Sequence, residues 1–277
     1  MKHVALMQDL SCLGKCSMTV ILPVISAMGV SCSVLPTAAL STHTAFPGPA
    51  VTDLTGFARK TMSHWAGLGA KFDGLLTGYL ANPGQATLAK EFLSRFAGDN
   101  TRIIVDPAMG DHGKLYAGLG LEMIPAMKEL CRMADLCIPN ITEGAMLAGI
   151  PWQDRRDADY CREIARGLTD QGCRAVLITG ASAQPGMTGC FYSDGETEFC
   201  TAAPELPRSC HGTGDLFAGV MMGALMRGLE PRQAAYLAGE FVRRSIASTG
   251  PDSRWGVAFE EHLGWLAAAV DNPAPGE

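Results

Sequence analysis

The segment Arg208-Ser209-Cys210-His211-Gly212-Thr213-Gly214-Asp215 carries the residues best able to do chemistry, and the apolar, helix-like run Leu216 to Met226 follows it. Glycines at 212 and 214 strip side chains from a tight turn. Its backbone N–H groups can then converge on an anion, and the N-terminus of the helix behind them adds its positive end. Asp215 has the opposite sign. A carboxylate among anion-attracting donors is poorly placed to bind phosphate, but well placed to take a proton from an attacking hydroxyl. Donors for a transferring phosphoryl group beside a general base are the minimum apparatus of a small-molecule kinase. The same eight residues also suit an ordinary loop with a helix cap, so the rest of the chain must decide.

Three further clusters bear on that decision. Pro139-Asn140-Ile141-Thr142-Glu143 sits at a strand end and opens a helix. Asn140 and Glu143, three apart, share one side of that helix start. An amide oxygen and a carboxylate there suit the hydration shell of Mg²⁺ near nucleotide phosphates, and equally an N-cap with an acidic first turn. Asp106-Pro107-Ala108-Met109-Gly110-Asp111-His112-Gly113 is a strand end with two acids and two glycines. Asp106 could hold phosphate-bound Mg²⁺ through water, or the segment could be a turn that needs Gly and Asp for its backbone. Ser41-Thr42-His43-Thr44, with Phe46-Pro47-Gly48, is a polar-aromatic loop suited to a small aromatic or hydroxylated substrate. A lone histidine such as His43 is more commonly a structural hydrogen-bonder than a base. The chain has no G-x-x-x-x-G-K-[ST], no G-x-G-x-x-G behind the first strand and no G-x-S-x-G elbow. Those absences weigh against P-loop, dinucleotide and serine-hydrolase chemistry.

The elements that must position these residues alternate between β and α. Strands are expected at Val4–Met7, Val30–Leu35, Gly74–Thr77, Arg102–Val105, Leu136–Ile138 and Ala175–Thr179. Helices are expected at Ser17–Met28 with Gly29 as its stop, at Val51–Leu68 with an apolar face of Leu54, Phe57, Met62 and Trp65, at Gly84–Phe96 and at Leu121–Met133. Met187–Thr201 alternates like a hairpin about Asp194-Gly195. Helices Gly214–Arg227, Pro231–Ser248 and Ala258–Ala269 close the chain, and the tail Asp271–Glu277 is expected to fray. This order predicts a doubly wound, mostly parallel α/β sheet with helices on both faces, in a single domain over 1–277. In such sheets ligands gather beyond the strand C-termini. Asp9, Thr37, Thr77, Asp106, Asn140 and Thr179 stand at those ends.

Composition narrows the partners. At 277 residues, 47% hydrophobic, the chain is long enough for one large α/β domain. Net charge is −6 and no Lys/Arg cluster stands out, so nucleic acid is not an expected partner. No signal peptide is evident, and the apolar run Met18–Val30 contains Pro23 and is too short to span a bilayer. Ten scattered cysteines without paired C-x-x-C motifs read as reduced thiols of a cytoplasmic protein. Cys12 and Cys16, or Cys210 with His211, lack a second ligand pair for zinc.

Over roughly Val4 to Thr249 the chain resembles the ribokinase-like superfamily and, within it, the pyridoxal/pyridoxamine kinases. The resemblance is carried by Leu10-Ser11-Cys12-Leu13-Gly14-Lys15-Cys16-Ser17, Ala39-Leu40-Ser41-Thr42-His43-Thr44, Thr77-Gly78-Tyr79-Leu80, Asp106-Pro107-Ala108-Met109-Gly110, Pro139 to Glu143 and Gly212 to Asp215. It implies ATP-dependent phosphorylation of a vitamin B6 vitamer on its 5′-hydroxymethyl oxygen. Asp215 is then the base, and the N–H groups of Gly212, Thr213 and Gly214 form the anion hole. Asp106, Asn140 and Glu143 serve Mg²⁺ and the nucleotide phosphates, with Thr179 beside the nucleotide. Asp9, His43, Thr44 and Tyr79 belong to the vitamer site. The resemblance also implies a homodimer with little or no lid and a monovalent cation such as K⁺. Hydroxymethylpyrimidine kinases share part of the pattern and are the nearest alternative, ahead of sugar kinases on the same fold. A non-catalytic B6-binding protein is the alternative from another class. Two positions depart from the better-known members, which often carry Ser where this chain has Asp9 and Gln where it has Ala45. An anionic Asp9 would favour a ring bearing an ammonium group. Cys210 stands beside the turn, where a cysteine in some such kinases traps the aldehyde of pyridoxal.

Overall fold

The computed structural model describes residues 1–182 and 184–272. Residues 273–277, most of the tail expected to fray, lie outside the described residues. Strand β1 (His3–Leu13) leads to helix α1 (Met18–Ala27), strand β2 (Ser31–Thr42) and strand β3 (Val51–Asp53). Helix α2 (Thr55–Gly67), strand β4 (Gly74–Thr77), helix α3 (Pro83–Phe96) and strand β5 (Arg102–Val105) follow. A small hairpin of β6 (Gly110–Asp111) and β7 (Lys114–Leu115) precedes α4 (Met123–Cys131), β8 (Leu136–Cys137), α5 (Ile141–Ala148) and α6 (Ala158–Thr169). Strands β9 (Val176–Ala181), β10 (Met187–Ser193) and β11 (Glu198–Pro204) come next, then helices α7 (Thr213–Met226), α8 (Pro231–Ser248) and α9 (Leu263–Asp271). The fold is a mostly parallel sheet with helices on both faces.

The chain divides into two compact units, one of Met1–Ala58, Phe72–Gly74 and Leu206–Glu277, the other of Arg59–Lys71 and Leu75–Glu205. In the first, β1 and β2 pair in parallel from His3 opposite Ser31 to Leu13 opposite Thr42. β3 returns antiparallel along Ala38 to Leu40. Val4 to Met7 are fully buried on both faces of β1, as a run of consecutive apolar residues requires in a doubly covered sheet. Helix α7 packs on α1 and α8. A Cβ on Gly219 would stand 3.5 Å from the Cα of Ile21, so the α1 and α7 backbones approach closely. In the second unit the strands run in the order β11-β10-β9-β8-β5-β4. β5, β8 and β9 are parallel, and β10 and β11 extend them antiparallel.

The structure departs from the expected elements in identifiable places. Val51–Asp53 is a strand rather than the start of a helix. β-Branched Val51 and Thr52 favour pairing with β2, and Asp53 Oδ1 accepts the Thr55 N–H at 2.8 Å to open α2. The expected apolar face of that helix holds in part, since Met62 is buried but Phe57 is 56% exposed. β2 runs seven residues beyond Leu35, to Thr42, so Thr37 lies within a strand and Ser41 and Thr42 end it. Helix α6, capped by Asp157 through the Tyr160 N–H at 3.1 Å, is an additional element, as is the β6–β7 hairpin.

Glycine at 189 is required by the β10–β11 ladder. A Cβ there would lie 1.9 Å from the Thr201 carbonyl oxygen, which is backbone and cannot swing aside. Gly189→Ala is expected to destabilise the fold by about 2–3 kcal/mol. A urea titration reads this directly, and an unchanged midpoint would contradict the account of that strand pair.

Candidate active site

Helix α7 begins on Gly212, whose φ of +84° is costly for a residue with a Cβ. A Cβ there would also stand 2.4 Å from the Lys15 carbonyl oxygen. At Gly214, by contrast, a Cβ would meet nothing within 4 Å. First-turn N–H groups have no intrahelical acceptor, and a glycine cap offers no side chain to accept them. The turn therefore presents donors beside open space. The Thr213 hydroxyl donates to the Cys210 carbonyl at 3.2 Å and fixes the approach to the helix.

Asp215 lies in that first turn. Its Oδ2 accepts the Ser17 N–H at 2.7 Å, and the Cys16 thiol bonds to the same carboxylate. Loss of water raises its pKa, the Ser17 N–H lowers it, the Asp9 charge raises it and the Cys16 contact lowers it, leaving it at about 6. Asp9 is buried on β1. Its Oδ2 accepts the Ser11 hydroxyl at 3.0 Å, the Ser17 hydroxyl bonds to the same group, and Oδ1 is buried without a hydrogen-bond partner. Burial raises the Asp9 pKa, opposed chiefly by those two hydroxyls.

His43 Nε2 lies 3.0 Å from the Arg254 carbonyl oxygen. A carbonyl only accepts, so Nε2 carries the proton and a neutral ring presents Nδ1 as an acceptor. That Nδ1 is buried with no partner. The ring sits 4.7 Å from both Phe46 and His211, and Phe46 in turn is 5.0 Å from Trp255. Thr44 is exposed next to this aromatic group.

In the second unit Asn140 and Glu143 close a capping box at the start of α5. Asn140 Oδ1 accepts the Glu143 N–H at 2.9 Å, and Glu143 Oε2 accepts the Asn140 N–H at 2.9 Å. Glu143 Oε1 reaches further, accepting from Met109 N at 2.9 Å and Gly110 N at 3.3 Å, while Asn140 Nδ2 donates to the Gly110 carbonyl at 2.8 Å. Burial pushes Glu143 up to about 7 against those three N–H donors. Asp106 is buried just past β5, and its N–H donates to Thr77 at 2.9 Å. Thr179 bridges to Asn140, its N–H donating to Pro139 at 2.9 Å. Tyr79 lies part-exposed just past β4.

The donor set limits how a metal ion could be held. Both Glu143 oxygens are engaged by backbone N–H groups, and among the described residues no three His, Cys, Asp or Glu side chains converge as a metal cage. These residues fit a hydrated Mg²⁺ held through its waters, which is the habit of that ion, and not a directly ligated one.

Every residue expected of the turn 212–215 lies in the first unit with Asp9 and His43, and the Asp106, Asn140, Glu143 and Thr179 set is gathered in the second. Cys16 and Ser17 were not expected to touch Asp215. They stand inside the segment Leu10 to Ser17, but neither periodicity nor residue type signals a serine at φ +54°.

A model of the phosphomethylpyrimidine kinase family matches residues 60–256. A candidate pyridoxal kinase of Schizosaccharomyces pombe is 27% identical over 204 residues, 70% of this chain and 64% of that protein. The pyridoxine/pyridoxal/pyridoxamine kinase of Bordetella avium is 29% identical over 183 residues, 63% of this chain and 60% of that protein. The matched stretches thus span under two thirds of both relatives. A candidate phosphomethylpyrimidine kinase of Bacteroides thetaiotaomicron superposes at a TM-score of 0.93 with 34% identity, over 99% of this chain and 95% of that one. Its second crystal form, with pyridoxal, gives a TM-score of 0.91 with 33% identity, over 99% and 96%. The pyridoxal kinase of Lactobacillus plantarum gives 0.90 with 31% identity, over 98% of each chain. The chain therefore belongs to the phosphomethylpyrimidine kinase family, among the pyridoxal kinases and their relatives in the ribokinase-like superfamily.

Proposed function

We propose that this protein is a kinase that transfers the γ-phosphoryl group of ATP to the 5′-hydroxymethyl oxygen of a vitamin B6 vitamer. The observation that carries the reading is Asp215, a carboxylate with a pKa near 6 set beside the open N–H donors of Gly212, Thr213 and Gly214. The vitamer is supported by the related Bacteroides protein, whose structure was solved with pyridoxal.

Asp215 accepts the proton of the acceptor hydroxyl as its oxygen attacks phosphorus, and the bond to the ADP oxygen breaks in line. The turn 212–214 stabilises charge on the transferring group. Asp9, His43, Thr44 and Tyr79 hold the vitamer. Asp106, Asn140, Glu143 and Thr179 serve the nucleotide, and Asp106, Asn140 and Glu143 would hold a hydrated Mg²⁺ through its waters. When bound, that ion neutralises charge on the phosphate oxygens. The aromatic group of His43, Phe46 and Trp255 suits a flat heteroaromatic ring better than a sugar. A hydroxymethylpyrimidine is the second reading, favoured by the family model. A pure binding protein has no use for a positioned base.

The deciding experiment is ATP consumption with Mg²⁺ and K⁺, run separately with pyridoxal, pyridoxamine, pyridoxine, hydroxymethylpyrimidine and ribose. Turnover is expected with B6 vitamers. Turnover only with the pyrimidine or the sugar overturns the substrate, and silence with all five favours a binding protein. Asp215→Ala is expected to lower kcat by about 10²–10⁴ while ATP still binds. In the wild type kcat should fall as pH drops below about 6, because a protonated Asp215 cannot accept the hydroxyl proton.

The same pKa has a cost in stability. Asp215 ionises less readily when folded than its ordinary value of 3.8, so stability falls as pH rises from 3.8 to about 6 and stays lower above that. Asp215→Asn, which keeps an acceptor for the Ser17 N–H, should therefore be more stable than wild type at pH 8 by roughly 1–2 kcal/mol after allowance for partial solvent access. The gain should vanish near pH 4, and a loss of stability at pH 8 contradicts the assignment. Asp9→Ser tests vitamer choice. The charge of Asp9 should raise kcat/KM for pyridoxamine or pyridoxine to at least that for pyridoxal, and an unchanged ranking in the variant would falsify that role.

A further inference from the structure

Ser17 is one of only two non-glycine residues with positive φ among the described residues, and the other, His112, sits on the exposed β6–β7 turn. With φ +54° and ψ −128°, Ser17 holds a conformation that L side chains rarely adopt. It is also the N-cap of α1, where a serine hydroxyl ordinarily accepts a first-turn N–H, yet it makes no such bond. Its hydroxyl goes to Asp9 instead, and its N–H to Asp215 Oδ2 at 2.7 Å. Its carbonyl still accepts from Val20 at 3.0 Å and Ile21 at 3.1 Å, so the helix start survives. One strained residue thus touches both Asp9 and Asp215.

The loop that carries it has little room to relax. Lys15 N donates to the Trp255 carbonyl at 2.8 Å. The Lys15 carbonyl oxygen is pressed so close to Gly212 and Gly256 that a Cβ would approach it to 2.4 and 2.6 Å. Ser17 itself bridges back to Leu10 on β1.

We propose that Ser17 is a positioning residue whose strained backbone aims its N–H at Asp215 and so fixes the carboxylate for proton transfer. This rests on the reading of Asp215 as the base. The loop gives up a relaxed cap for a fixed acceptor geometry, a trade that belongs at a reacting centre. The titratable groups facing Asp215 are Asp9 from β1 and Cys16 from the loop, and His43, beyond β2, faces Asp9.

Ser17→Gly and Ser17→Ala test it as a pair. Both lose the hydroxyl to Asp9, and only glycine relieves the torsion. Relative to Ser17→Ala, Ser17→Gly is expected to have a higher Tm and yet a kcat lower by about 5–20-fold, with acceptor KM within about twofold. Its acid limb in kcat should also move to higher pH, since a loosened N–H no longer favours the ionised base. A purely structural Ser17 predicts the reverse, with kcat recovering as Tm recovers. Equal kcat or an unshifted acid limb in Ser17→Gly overturns the proposal. Should Ser17→Ala fail to fold, Ser17→Gly against wild type carries the same test, with an undiminished Tm, a lower kcat and the shifted limb expected, and unaltered kcat or limb overturning it. Failure of the underlying reading is separate, because wild-type turnover by Asp215→Asn removes the base itself, whatever Ser17 does.

Discussion

The 2.7 Å contact between the Ser17 N–H and Asp215 Oδ2 is the constraint on which the geometry around Asp215 depends. It joins residues 198 apart in sequence, the loop before α1 and the first turn of α7. In the role proposed for it, Asp215 must be basic enough to take a proton and held firmly enough to be aimed. Desolvation and the Asp9 charge raise basicity, while the Ser17 N–H and Cys16 thiol limit the rise and supply direction. The balance near 6 leaves the group ionised at neutral pH. The two helices at whose starts its partners stand, α1 and α7, also approach closely at Gly219.

The second unit treats a carboxylate differently. Glu143 is fully enclosed and accepts three backbone N–H groups, two of them from the segment after β5. It is a hub that pins Met109 and Gly110 to the start of α5, and with Asn140 it closes the helix cap. A capping box usually serves only its own helix. Here the spare oxygen fixes a neighbouring loop, so Asn140 and Glu143 shape the loop after β5 whatever else they bind. Asp215 accepts one backbone N–H where Glu143 accepts three, so the second carboxylate is the more firmly built into its backbone.

Much of this was legible in the sequence. The apolar runs Gly74–Thr77 and Arg102–Val105 and the helix Pro231–Ser248 stand where hydrophobic pattern and proline placement put them. The turn 212–215 and the pair Asn140 and Glu143 were visible because glycine, amide and acid at those spacings have few other uses. Val51–Asp53 was misread because the apolar period of α2 ran back through it, hiding the Asp53 cap. The torsion at Ser17 was illegible in principle, since nothing marks a serine for positive φ. The loop that holds it is packed by the Lys15 carbonyl against Gly212 and Gly256, contacts between segments about 200 and 240 residues apart. Local pattern carries the elements, and long-range packing sets the geometry at the base.

The two glycines of the turn separate what the fold needs from what a ligand needs. Gly212 is dictated by the protein, since its positive φ and the Lys15 carbonyl each forbid a larger residue at little strain. Gly214 answers to neither constraint. Its φ lies outside the left-handed region and its absent Cβ would project into open space. Within a helix a glycine costs about 1 kcal/mol relative to alanine, so its place in the first turn of α7 has no account in the folding of this chain. The proposed function supplies one. A glycine there keeps the first turn of α7 free of a side chain, which the proposed binding of a phosphoryl group at that turn would call for. The glycine that the structure does not need is the one whose place the proposed anion-binding role of the turn would explain.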